Sequence, residues 1–187
     1  MNEKPKYPVI FTYHNDAIDP KIAEYQYKVI EKVSQGRIAF RPMFSKFSFQ
    51  EMEHGDVLNK AVYHLFYQSP EFWDCVLILD IDCIPLSYEA LEMTLITAYG
   101  GSLVGNIQRT NHFDNGKHTY VAPSYMCFTR EYYEDIGSPT FNNNHKYDTA
   151  ELMTVNAERF NKPVVKLMPM HSECGYDDKG SMWELAD

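Results

Sequence analysis

The run CVLIL at residues 75–79 has no polar side chain. In an extended strand, successive side chains point to opposite faces, so this run must be covered on both sides. It is too short for a buried helix, which leaves a central strand of a parallel sheet as the fitting element. That one assignment demands helix layers above and below. It also raises a chemical question, because the run ends directly on Asp80, Ile81 and Asp82, two carboxylates one residue apart.

The flanking chain supplies the helices. YPVIFTY (7–13) reads as a first strand and 19–33 as a helix, with Ile22, Val29, Ile30 and Val33 on one face, Asp19 as N-cap and Pro20 at the first helical position. Residues 37–44 read as a second strand and 56–69 as a second helix. After the central strand, Ser87 is placed to cap a helix that ends at Gly100 and Gly101, and 102–107 reads as a fourth strand. The alternation then stops. Residues 108–124 read as a polar loop, 125–129 as a strand, 148–160 as a helix opened by a capping box of Asp148 and Glu151, and 162–170 as a last strand. The expected fold is α/β: one domain over 1–187, with a mostly parallel, Rossmann-like sheet flanked by helices and a mixed C-terminal third. The regular alternation ends at residue 107 and divides the domain into halves 1–107 and 108–187.

Composition excludes several classes. The formal net charge of −9 opposes general affinity for nucleic acid. No apolar run reaches the ~20 residues of a membrane span, and the N-terminal stretch lacks the apolar core of a signal peptide, so a cytoplasmic location is expected. Cys75, Cys83, Cys127 and Cys174 show no CxxC spacing and read as reduced thiols.

In a parallel sheet, ligands bind beyond the carboxyl ends of the strands, where Asp80 and Asp82 fall. Two neighbouring carboxylates both stay ionised only with a cation or with separation. A capping role is weakened by Ser87, the better cap. A calcium loop is excluded by Ile84 and Pro85 and by the absent glycine. An apolar strand ending in Asp-x-Asp also resembles the haloacid dehalogenase phosphatases, in which Asp80 would be the nucleophile, but Ile84 stands where that group has Thr.

The stretch DCVLILDIDCIPLSYEAL, with its apolar strand, Asp80, Asp82, Pro85 and following helix, resembles the DXD region of metal-dependent glycosyltransferases of the GT-A fold. The likeness extends more loosely to FTYHND at the first strand end, to APSYMCFTREYYEDIG, and to a histidine after the last strand. It implies a transferase moving a sugar from a nucleotide-diphosphate donor, UDP by preference, to a hydroxyl of a glycan, protein or small molecule. It implies Mn²⁺ or Mg²⁺ at Asp80, Asp82 and His171, the imidazole mildly favouring manganese. Thr12, Tyr13, Lys60 and Asp80 would contact the nucleotide, and Asp148 would be the acceptor base. Arg109, His112, Lys117 and His118 lie in a loop placed to cover the donor. Two other readings stay open, the phosphatase and a sugar- or nucleotide-binding domain without turnover. A sugar-1-phosphate nucleotidylyltransferase is opposed by TYHNDAIDP, which has neither a glycine nor a basic residue to hold a triphosphate.

Overall fold

The computed structural model describes residues 7–45, 53–69, 73–111 and 118–168. Strand β1 (Tyr7–Asn15) leads to helix α1 (Pro20–Ser34) and β2 (Ala39–Ser45). Helix α2 (His54–Tyr63) continues into a wider π turn at His64–Gln68. Then come β3 (Trp73–Leu79), α3 (Tyr88–Tyr99), β4 (Leu103–Arg109), β5 (Thr119–Thr129), α4 (Arg130–Asp135), α5 (Glu151–Arg159) and β6 (Val164–Leu167).

Local chemistry starts the helices where expected. The Asp19 carboxylate accepts the Lys21 N–H at 2.9 Å and Pro20 opens α1. Ser87 Oγ accepts the Ala90 N–H at 3.1 Å, and α3 ends at Gly100 and Gly101, the latter at φ 85°. The sheet order is β2-β1-β3-β5-β4-β6. β1 pairs in parallel with β2 and β3, and β4 with β6, whereas β5 is antiparallel to both β3 and β4. The expected α/β class with a mostly parallel, helix-flanked sheet is therefore what the chain adopts.

β3 is buried at six of its seven positions and divides the core. Ile10, Leu77, Leu79 and Cys127 pack with Ile30 of α1 and Leu91, Leu95 and Ala98 of α3. On the other face, Val9, Phe11, Val76 and Ile78 pack with α2, α4 and α5. That second face is strongly aromatic. Phe66 meets Phe128 edge-on at 6.0 Å, and Tyr133 stacks on Phe141 at 6.1 Å. Each such pair adds roughly 0.5–1.5 kcal/mol beyond its burial. The thiols of Cys75 and Cys127 lie 3.7 Å apart in the opposite layer as free cysteines.

Three expectations need correction. Of the expected loop 108–124, residues 108–109 belong to β4 and 119–124 belong to β5. Pro123 disguised the β5 residues. Proline removes a ladder donor, and this strand accommodates it where the β4–β5 register shifts. The helix expected from 148 begins at Glu151, after Ala150 in the left-handed region at φ 65°. The last strand covers only Val164–Leu167 within the expected span; 169–170 lie outside the described residues.

The irregular β5 presses on Gly105, where a Cβ would overlap the Tyr125 carbonyl oxygen and crowd Val121. Both neighbours are central in the sheet and cannot retreat. Gly105→Ala is therefore expected to lose about 3 kcal/mol or more, read as a lower urea midpoint with unchanged slope.

Candidate functional site

β1 is followed by a crossover to β2 on one side, while β3 lies on its other side. The chain thus reverses its direction of winding between β1 and β3. A crevice at the carboxyl end of such a switch point is where doubly wound sheets bind ligands. Thr12 pairs with Leu79 across this boundary, so the ends of the two strands arrive together. Asp80 and Asp82 follow β3 directly.

The turn after β3 is tightly held. The Asp80 N–H donates to the Ser124 carbonyl at 3.1 Å, and the Cys83 N–H donates to the Asp80 carbonyl at 3.0 Å. Asp82 is exposed. The Asp80 side chain is 33% exposed, and its Oδ1 lies 3.5 Å from His54 Nε2 at the start of α2. Burial pushes the Asp80 carboxyl above the usual carboxylate range. His54 pulls it back, and the Asp82 charge pushes it further up. The Cys83 thiol is pushed up to about 12, first by burial and then by Asp80 and Asp82. At neutral pH it is a thiol and not a thiolate nucleophile.

On β1, Thr12 is buried, and its hydroxyl has no hydrogen-bond partner among the described residues. Tyr13 is also buried, its ring stacked on His54 at 6.3 Å. Burial lowers His14, which is neutral at pH 7. Lys60 is exposed in the last turn of α2. It sits six residues, roughly 9 Å of helix rise, beyond His54.

Asp148 stands at the end of the 137–150 connection. Its Oδ2 accepts the Asn111 N–H at 2.6 Å. The expected capping box is half present. Glu151 Oε2 reaches back to the Asp148 N–H at 2.8 Å, but the Asp148 carboxylate is turned to Asn111 instead of to the helix. Glu151 is fully buried and also binds Thr110 Oγ1 at 3.2 Å and His118 Nδ1 at 2.7 Å. It therefore ties the end of β4, the approach to β5 and the start of α5 together. Tyr120 lies near this cluster and near Asp80; burial, then Asp148, Glu151 and Asp80, raise its phenol.

The structure thus brings Asp80, Asp82 and Tyr13 to one end of the sheet, Tyr13 reaching Asp80 through His54, with Tyr120 near both Asp80 and Asp148. His171, His112 and Lys117 lie outside the described residues. Three side chains near the site were not foreseen: His54, Tyr120 and Gln26. His54 opens an amphipathic helix and Tyr120 follows a polar stretch, so neither carried a local signal. A shallow groove of about 360 Å³ lies elsewhere, between Val29–Gln35 and Ile84–Glu89. It holds none of these groups.

A hard divalent cation suits the Asp80–Asp82 turn by donor chemistry, since both groups offer carboxylate oxygen and a cation would offset the burial and, beyond it, the Asp82 charge that raise Asp80. Among the described residues, no three or more side chains of ligand type converge. The turn would supply two carboxylates and leave the cation's other positions open, as Mg²⁺-type sites keep several for substrate oxygens and water.

The arrangement defines a doubly wound α/β protein with an acidic turn at its switch point. Solved structures share this fold. A protein from Desulfovibrio desulfuricans G20, assigned as a nucleotide-diphospho-sugar transferase, superposes with a TM-score of 0.53 at 11% identity, over 86% of this chain and 79% of its own. The 4-diphosphocytidyl-2C-methyl-D-erythritol synthase of Anaerococcus prevotii DSM 20548 gives 0.52 at 12% identity, over 87% and 89%. No family model and no curated protein matches the chain by sequence. Among the described residues, no helix is long and apolar enough to cross a membrane.

Proposed function

We propose that the chain is a glycosyltransferase that takes a sugar from a nucleotide-diphosphate donor, with UDP as the first nucleotide to test. The observation that carries this reading is the placement of Asp80 and Asp82 at the carboxyl end of the central strand, beside the β1–β3 crevice. The fold shared with a protein assigned as a nucleotide-diphospho-sugar transferase supports it. Asp80 and Asp82 would hold Mn²⁺ or Mg²⁺, which when bound offsets the charge of the departing diphosphate as a Lewis acid. His171 is a further proposed ligand on the strength of the sequence alone. Tyr13, with His54 against it, would border the base, and Thr12 and Lys60 remain proposed nucleotide contacts. Asp148, oriented by the Asn111 N–H on Oδ2, would take the proton of the acceptor hydroxyl.

The shared fold with a diphosphocytidyl-methylerythritol synthase leaves nucleotidyl transfer as the second reading. The β1–α1 connection counts against it, since Asp16, Ala17, Ile18 and Asp19 provide no glycine or cation for a triphosphate.

The test is thermal stability with UDP, UDP-sugars and CTP, each with Mn²⁺ or with EDTA. UDP or a UDP-sugar is expected to raise Tm only when metal is present, because two carboxylates repel a bare diphosphate. Equal stabilisation in EDTA would remove the metal bridge. Preference for CTP would favour nucleotidyl transfer, and hydrolysis of a simple phosphate monoester would favour the phosphatase.

A further inference from the structure

Gln26 sits midway along α1, far from the acidic turn in sequence, yet it is the side chain that holds that turn from behind. It is 1% exposed. Its Nε2 donates to the Asp80 carbonyl at 2.7 Å and to the Cys83 carbonyl at 3.1 Å. These are the first and last residues of the turn, already closed by the Cys83 N–H on the Asp80 carbonyl. One carboxamide thus uses its donors on two carbonyls three residues apart. Its own oxygen is buried with no hydrogen-bond partner among the described residues. A buried acceptor left unmatched is costly, so packing alone would favour an apolar residue of the same length here. What the amide supplies is a fixed backbone path through Asp80, Ile81, Asp82 and Cys83.

We infer that Gln26 is a positioning residue for the acidic turn, setting the spacing at which Asp80 and Asp82 engage a divalent cation. The inference rests on the metal-site reading proposed above. Gln26 also belongs to the helix that follows β1, so it couples the β1 edge of the crevice to the β3 turn. Groups that orient metal ligands from behind typically change affinity by about 10–100-fold when removed.

The experiment measures Mn²⁺ binding by electron paramagnetic resonance, in the presence of UDP, for the full chain and three variants. Gln26→Met keeps the length and removes both donors. Gln26→Asn keeps the polarity, cannot span both carbonyls, and serves if the Met variant does not fold. Ile30→Val, in the core on the same helix, lowers stability and leaves both hydrogen bonds from Gln26 to the turn in place. Half-saturation is expected to rise at least about tenfold in both Gln26 variants and to stay unchanged in Ile30→Val. Amide exchange of Cys83 is expected to quicken in the Gln26 variants alone. Unchanged Mn²⁺ affinity in a folded Gln26 variant would overturn the inference, as would an equal loss in Ile30→Val, which would mark a general stability effect. If the wild-type chain itself binds no Mn²⁺, the metal-site reading fails and the inference falls with it. The wild-type arm separates that failure from the first.

Discussion

Asp82→Ala is expected to abolish turnover, by on the order of 10²–10³-fold or more, while the far-ultraviolet circular dichroism and the urea midpoint stay near wild type. The two halves of this expectation have separate physical grounds. Asp82 is exposed, follows β3 and packs against neither face of the core. Its removal leaves no cavity, and exposed substitutions of this kind usually change stability by less than about 0.5 kcal/mol. Its carboxylate is nonetheless one of the two oxygen sources the turn offers a cation. A variant that keeps most of its turnover would end the proposed role of the turn.

Asp80→Asn is expected to raise the Tm of the metal-free protein while removing its response to Mn²⁺. Asp80 is held above the usual carboxylate range, first by burial, with His54 opposing and Asp82 adding. A carboxyl raised in the folded state favours unfolding when ionised. Asparagine has no charge to desolvate, so the variant gains at pH 7 in EDTA. The gain is kept to a few degrees because a third of the side chain meets water. The sign with pH is fixed by linkage. Between the ordinary carboxylate value and the raised folded value, the folded state binds more protons than the unfolded one. Wild-type stability therefore rises as pH falls through that window, and the advantage of the variant fades toward about pH 4. With Mn²⁺ present the order reverses, because only the wild-type carboxylate gains a counter-charge. A fall in the Tm of metal-free Asp80→Asn would show that Asp80 stabilises the fold, and that its position has no functional cost to explain.

These two residues could be picked out from sequence because their signal is local. An apolar strand that stops on a carboxylate needs only its neighbours to be noticed. Asp19, Pro20 and Ser87 were legible for the same reason, since a cap acts within three residues of itself. The first four strands and three helices followed from periodicity, and their parallel order followed from alternation.

The remainder depended on contacts between distant parts of the chain. β5 inserts antiparallel between β3 and β4, and Pro123 reads locally as a breaker although the register shift accommodates it. Asp148 and Glu151 fit a capping box in spacing, yet Asn111 competes for the Asp148 carboxylate, and Thr110 and His118 join Asp148's own N–H on Glu151. Gln26 lies 54 residues from Asp80, and His54 lies 26 before it, so no local pattern joins either to the turn. Sequence by itself determined which segments become strands and helices and where the carboxylates fall, because propensity, capping and burial act over a few residues. Tertiary structure alone decided which side chains stand behind and beside those carboxylates, because sheet order brings together groups that the chain keeps apart.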